Sequence, residues 1–165
     1  MRARRRLAAL GAAFAVVLLG GCGFTPLYGP GGVNAGLSHI EVEAPDGRTA
    51  YLLREQLEDA LLPERKARPL YRLAFTIVER RDPRGLGPDD AASRYELTIV
   101  VAYTLTEIAT GTALHSGEET VLISYDAVDA PYAGIAAQQN SQERAAAEAA
   151  RRIRLNLAEY FAGRS

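Results

Sequence analysis

In the segment Tyr71–Arg80, Tyr71, Leu73, Phe75 and Ile77 stand at alternate positions. Alternate side chains of an extended chain share one face, so the pattern predicts a strand with one side turned to a core. A longer alternation follows, with Tyr95, Leu97, Ile99, Val101, Tyr103 and Leu105 on one side. Its other side carries Arg94, Glu96, Thr98, Thr104 and Thr106, interrupted by Val100 and Ala102. Thr110-Gly111 turns the chain back, and Leu114 to Tyr125 reads as a third strand of this meander. Gly117 breaks its alternation and marks a candidate bulge. Between the first two strands, Asp82-Pro83-Arg84-Gly85-Leu86-Gly87-Pro88-Asp89-Asp90 reads as a loop, because prolines and glycines at that density oppose regular structure.

Upstream, His39-Ile40-Glu41-Val42-Glu43 alternates like a short strand with one wet face, and Ala44-Pro45-Asp46-Gly47 breaks it. From Thr49 to Leu62 the apolar residues Ala50, Leu53, Leu57, Ala60 and Leu61 recur at three- and four-residue steps, which predicts an amphipathic helix. Thr49 or Asp46 is placed to cap its start, and Pro63 ends it. The last element runs from about Gly134 to Phe161, with Ile135, Gln139, Ala146, Ala149, Ile153, Leu157 and Tyr160 as its packing stripe. Arg144, Glu148, Arg151, Arg152 and Glu159 fall elsewhere on it, and Glu148 and Arg152 have the favourable i, i+4 spacing. Its many alanines favour helix and let it lie close to a sheet. Each predicted strand thus offers one apolar face and each helix one stripe. The simplest burial is an α+β two-layer sandwich, with two helices packed on one face of a four-stranded, mostly antiparallel sheet in the order β-α-β-β-β-α. The opposite sheet face is rich in threonine and either stays wet or is covered by something else.

The N-terminus changes the picture. Arg2, Arg4, Arg5 and Arg6 precede a thirteen-residue apolar run, Leu7 to Leu19, and then come Gly20, Gly21 and Cys22. That is the order of a secretory signal peptide, and the run falls short of the roughly 20 residues a permanent membrane helix needs. Cys22 is the single cysteine of the chain, so an internal disulfide cannot account for it. Leu19-Gly20-Gly21-Cys22 reads as a lipobox: residues 1–21 are removed, and Cys22 receives a diacylglycerol on sulfur and an acyl chain of the palmitate type on its new amino group. One chain binds a bilayer only marginally, whereas two or three attach almost permanently. Residues 22–36, dense in glycine and proline, read as a tether, with Phe24, Leu27 and Tyr28 free to dock on the domain formed by 37–165.

Without the signal, the chain keeps 15 basic and 20 acidic side chains, a formal charge of −5. An acidic domain is a poor nucleic-acid binder, because a basic face supplies most of that affinity. Lys66 is the single lysine, and the arginine bias suits planar contacts with phosphate or carboxylate. A GC-rich genome gives the same bias with no functional cause, and that is the plainer account.

Catalysis finds little support. His39 and His115 lie beside or within predicted strands without metal-ligand spacing to a partner. No nucleophile elbow or P-loop is present. The neighbouring carboxylates Asp89-Asp90 and Glu118-Glu119 would point to opposite faces of an extended chain. The residues read as those of a non-enzymatic protein without a cofactor beyond its lipid, and with no metal. One cluster stands out. Arg80, Arg81, Arg84 and Arg94 converge near one tip if the two long strands pair as a hairpin, and converging guanidiniums grip phosphates or sugar acids. Asp82, Asp89 and Asp90 could equally neutralise them in surface pairs worth little, and this second reading is the preferred one.

The run Gly21-Cys22-Gly23-Phe24-Thr25-Pro26-Leu27-Tyr28-Gly29 resembles the start of the alphaproteobacterial lipopolysaccharide-assembly lipoproteins of the LptE family, in which Cys-Gly-Phe-x-Pro-Leu-Tyr follows the lipobox. Ser124-Tyr125-Asp126, Tyr132-Ala133 and the helix from Arg144-Ala145 to Leu157-Ala158-Glu159-Tyr160-Phe161 are also similar to that family. The resemblance implies two helices on a four-stranded sheet and no enzymatic activity. It implies a plug in the outer-membrane β-barrel LptD of a Gram-negative envelope, assisting barrel assembly and the delivery of lipopolysaccharide to the outer leaflet. Arg80, Arg81, Arg84 and Arg94 are lipopolysaccharide-binding candidates by charge and location. Gly23 after the lipidated cysteine, by resemblance to enterobacterial lipoprotein sorting, favours the outer membrane on its periplasmic side. The alternative is a periplasmic accessory lipoprotein of an ABC-type lipid-export system.

Overall fold

The computed structural model describes residues 36–61, 68–86, 92–127 and 130–163. The expected signal peptide, the lipobox with Cys22 and the tether up to residue 35 lie outside the described residues. The elements follow in the expected order: β1 (Ile40–Glu43), α1 (Arg48–Leu61), β2 (Tyr71–Leu86), β3 (Ala92–Glu107), β4 (Ala113–Asp126) and α2 (Pro131–Ala162). The sheet order is β1-β2-β3-β4. It is mixed: β1 and β2 run parallel through the α1 crossover, and the other two pairs are antiparallel. Parallel neighbours need such a crossover, whereas antiparallel ones can be joined by a tight turn.

Both helices cover one face. From the sheet, Leu73, Leu97, Ile99, Val101, Leu105 and Val121 are fully buried against Leu53 and Leu57 of α1 and Ile153 and Leu157 of α2. The buried apolar residues of α1, namely Ala50, Leu53, Leu57 and Leu61, fall at helical spacing, as its sequence predicts. Thr49 lies inside this helix, and its hydroxyl donates to Glu79 Oε2 (2.6 Å) rather than capping the start. On α2, the buried positions Ala145, Ala146, Ala149, Ala150 and Ala158 have no side chain beyond Cβ, so the helix sits close to its neighbours. Its packing stripe starts at Ser141, not at Ile135. Ile135 is 56 % exposed and Gln139 is exposed, because the first turns of this 32-residue helix pass beyond the packed body.

The first part of the expected loop, Asp82 to Leu86, is strand, and residues 87–90 lie outside the described residues. β2 continues to Leu86, with Asp82 opposite Glu96, Pro83 opposite Tyr95 and Arg84 opposite Arg94. Turn-forming composition here loses to a ladder already in register from Tyr71 onward. Pro83 is tolerated because β1 pairs only with Tyr71–Ala74, which leaves the rest of β2 an edge strand on that side. Gly85 has φ 62°, and a Cβ there would meet Ser93 Oγ at 2.5 Å, so the last part of the hairpin arm requires glycine.

The other turn matches its expectation. Gly111 has φ 70°, its N–H donates to Glu107 O (2.8 Å), and the Thr110 hydroxyl donates to Glu107 Oε2 (2.7 Å). The bulge, however, is not at Gly117. The register shifts between Leu105 and Thr106, while Gly117 stays in register opposite Tyr103.

Candidate functional site

The register fixes which side chains share the uncovered face of the sheet. Residues directly opposite in antiparallel strands point the same way. Three rows matter: Val78, Val100 and Thr120; Arg80, Thr98 and Leu122; and, at the tip, Arg84, Arg94 and Asp126. Val78 is 64 % and Leu122 52 % exposed, so the middle of this face carries a small apolar band. Threonines and the small Ala74 and Ala102 continue it towards the other end of the hairpin, where a shallow trough of about 550 Å³ lies across the three strands.

The four arginines expected to converge do not all meet. Arg80, Arg84 and Arg94 lie on the open face, but Arg81 follows the odd-numbered residues of β2 to the helix side. There its Nη1 donates to Gln138 Oε1 (2.8 Å), and its guanidinium carbon stands 4.8 Å from the centre of the Tyr95 ring. Tyr95 in turn stacks on Tyr125 at 5.6 Å. The Tyr125 hydroxyl is buried there without a hydrogen-bond partner among the described residues. Alternation of side chains along a strand, applied to Arg80-Arg81, would have separated them in advance.

On the open face, Arg84 Nη2 donates to Glu96 Oε1 (2.8 Å), and that hydrogen bond raises the arginine's pKa further. Arg94 Nε donates to Asp126 Oδ1 (3.3 Å). Glu96 and Asp126 are therefore the carboxylates bonded to these arginines, and Asp82, one of the three expected, acts on Arg84 through charge alone. Asp89 and Asp90, which the sequence offered for that role, lie outside the described residues. The Arg80 side chain forms no ion pair or hydrogen bond among the described residues and is exposed. Each exposed pair holds its arginine with little net energy, since water competes for both partners. An incoming phosphate can therefore displace Glu96 or Asp126 from a guanidinium that is always charged.

The remaining candidates have structural surroundings. His115 lies against Tyr160 at 5.1 Å and Tyr103 at 6.1 Å, and His39 Nδ1 stands 3.3 Å from Arg68 O. Glu118 and Glu119 point to opposite faces as expected, and Glu119 accepts from Asn156 Nδ2 (2.5 Å). Among the described residues, no three His, Cys, Asp or Glu side chains are grouped to hold a metal.

One linking residue escaped the sequence reading. Glu79 stands on the helix-facing side of β2, where it accepts from Thr49 of α1 (2.6 Å) and from Gln142 Nε2 of α2 (2.8 Å). The signal was present: a carboxylate interrupts the row Tyr71, Leu73, Phe75, Ile77 at its next place.

Solved lipoprotein structures share this fold. A lipoprotein from Caulobacter crescentus is 47 % identical, covers 81 % of this chain and 97 % of its own length, and superposes with a TM-score of 0.71. A minor lipoprotein from Acinetobacter baumannii shares the fold at 16 % identity, with 74 % of this chain and 92 % of that one covered and a TM-score of 0.59. A lipoprotein B from Nitrosomonas europaea does so at 18 % identity, covering 70 % and 78 %, with a TM-score of 0.52. No curated protein matches the chain. The family model for LptE, lipopolysaccharide-assembly, matches residues 37–157, from the turn before β1 into the last turns of α2. The chain belongs to the LptE family of lipopolysaccharide-assembly proteins.

Proposed function

We propose that this chain is a non-catalytic outer-membrane lipoprotein, anchored through acylated Cys22 and seated within the LptD β-barrel, where it assists barrel assembly and lipopolysaccharide insertion. The observation that carries the reading is the family match over residues 37–157, all four strands and both helices up to the last turns of α2, joined to a relative 47 % identical with 97 % of its own length covered. The shape agrees with a plug. Strands of 16 residues extend over about 53 Å at 3.3 Å per residue, and the 32-residue helix over about 48 Å. One face of this rod is left uncovered, with threonines, paired charges and a narrow apolar band. Large barrels have polar interiors, and a largely polar face suits such a wall.

Within this role, Arg80, Arg84 and Arg94 form the contact for lipopolysaccharide phosphates. Arg81 supports the tip from the helix side rather than touching ligand. Purification from detergent-solubilised outer membrane tests the assembly: a large β-barrel recovered in stoichiometric amount supports it. Recovery with an inner-membrane ATPase complex instead would move the chain to the ABC-type accessory role.

A further inference from the structure

The two outer edges of the sheet are treated differently. On the β4 side, Arg152 of α2 donates Nη1 to the Thr120 carbonyl (3.0 Å), so a helix side chain occupies that edge. On the opposite side β1 is the terminal strand, and no described strand pairs with its outer edge. A groove of about 660 Å³ runs along β1 from Ser38 to Ala44, walled by Arg54 and Glu58 of α1 on one side and by Arg72 on the other. A six- or seven-residue segment at about 3.3 Å per residue has the length of this groove.

The side chains of β1 are sorted by face. Ile40 is buried and Val42 packs against the core on the helix side, whereas Glu41 and Glu43 lie on the open side. These two carboxylates share one cation: Arg72 Nε stands 2.8 Å from Glu41 and 3.5 Å from Glu43. Arg72 comes from β2, so among the described residues the two carboxylates share one cation, supplied from their inner neighbour, and keep a net negative charge.

We propose that the outer edge of β1 receives an extended segment of a separate polypeptide in which lysine or arginine alternates with aliphatic residues. Its backbone pairs with the outward-facing N–H and C=O groups of β1 by strand addition. Its cations fall beside Glu41 and Glu43, and its aliphatic side chains fall beside Ile40 and Val42, beneath Arg54 and Glu58. Opposite charges directly across a ladder stabilise it and like charges oppose it. That rule excludes a second copy of this strand, which would set Glu41 and Glu43 against themselves. The chain's own residues 23–35 contain neither lysine nor arginine and so bring no cation to Glu41 and Glu43. The proposal is independent of lipopolysaccharide binding at the hairpin tip, since it concerns the far edge of the sheet.

The test uses the detergent-solubilised mature protein and a fluorescent peptide, Lys-Val-Arg-Val-Lys-Val, followed by anisotropy. Saturable binding is expected, weakened about tenfold or more by the Glu41→Lys, Glu43→Lys double variant. The Glu-Val-Glu-Val-Glu-Val peptide should bind about tenfold or more weakly as well. A Lys-Val-Arg-Val-Lys-Val peptide N-methylated at alternate amides on its pairing side should lose binding, because strand addition needs its N–H groups. Equal binding of the N-methylated peptide, or equal binding of the acidic peptide, overturns the proposal whether or not the double variant folds. Unchanged affinity in a folded double variant overturns it too.

Discussion

Gly117 of β4 lies directly opposite Tyr103 of β3, and a Cβ on that glycine would stand 2.5 Å from the tyrosine hydroxyl and 2.7 Å from the ring carbon bearing it. The phenol therefore occupies space that any other residue at 117 would need. Tyr103 itself is 3 % exposed. Burial raises its pKa, Glu119 adds to the rise, and the Asn156 hydrogen bond opposes it. Gly117→Ala should push this ring from its place and cost about 1–3 kcal/mol, the usual range for overpacking a close-packed interior. Urea unfolding followed by circular dichroism measures the shift. A variant as stable as the parent would mean that the ring has room to move.

Glu79 ties both helices to one strand, since its two oxygens separately accept from Thr49 and Gln142. Glu79→Ala removes both hydrogen bonds and leaves Gln142, 8 % exposed, without its carboxylate partner. The expected loss is about 1–3 kcal/mol. Glu79→Gln keeps an acceptor for one donor and should lose less. A reversed order of the two variants in chemical denaturation would show that the carboxylate is not the joint between the helices.

Much of this arrangement was legible in the residues, and the failures have physical causes. The rows Leu73-Phe75 and Leu97 to Leu105 disclosed their buried faces because a half-buried strand must alternate. The order of elements followed, as did the sharing of one face by both helices. Asp82 to Leu86 misled, because proline and glycine report local preference, whereas the ladder running from Tyr71 to Glu107 is a long-range pairing. Ile135 misled for the opposite reason. Periodicity shows which face of a helix is apolar but not where along its axis the sheet stops, and α2 outruns the body. The arginine site was legible by charge, but its division between two faces depended on β2 continuing as strand beyond Arg80.

Glu148 should leave a pH signature. Hydrogen bonds from Arg151 (2.9 and 2.8 Å) and from Arg152 (2.7 Å) hold its pKa down at about 2. A folded-state pKa below the unfolded value stabilises the fold above the unfolded value, roughly pH 4.3 for glutamate, and this stabilisation disappears as pH falls through about 2. Glu148→Gln should therefore be less stable than the parent at pH 6, and the difference should shrink between about pH 4.3 and pH 2. Thermal midpoints of both proteins across that interval give the comparison. A difference independent of pH would assign the effect to packing rather than to charge.

The lipid and the fold should be separable. Residues 37–157, the span of the family match, hold every residue of the buried cluster except Ala158, whereas Cys22 lies well upstream. Cys22→Ala is expected to release the protein from the membrane fraction with its cooperative unfolding intact. Fractionation and a melting curve on the released protein are sufficient. A released protein lacking a cooperative transition would mean that the acylated terminus takes part in folding.

The last expectation concerns the arginines that the sheet separates. Arg80, Arg84 and Arg94 share the open face, whereas Arg81 is engaged by Gln138 and Tyr95 on the other. Reversing the three open-face charges to glutamate should weaken lipopolysaccharide binding at moderate salt by about tenfold or more, because charge-assisted contacts to phosphate are lost and repulsion replaces them. The stability cost should stay within about 1 kcal/mol per site, since Arg84–Glu96 and Arg94–Asp126 are exposed pairs. Arg81→Ala should do the reverse: the tip loses its link between β2 and α2, and binding changes little. Binding measured on lipopolysaccharide immobilised at fixed ionic strength distinguishes the two sets. Equal losses from both would mean that the ligand reads total charge rather than one face of the sheet.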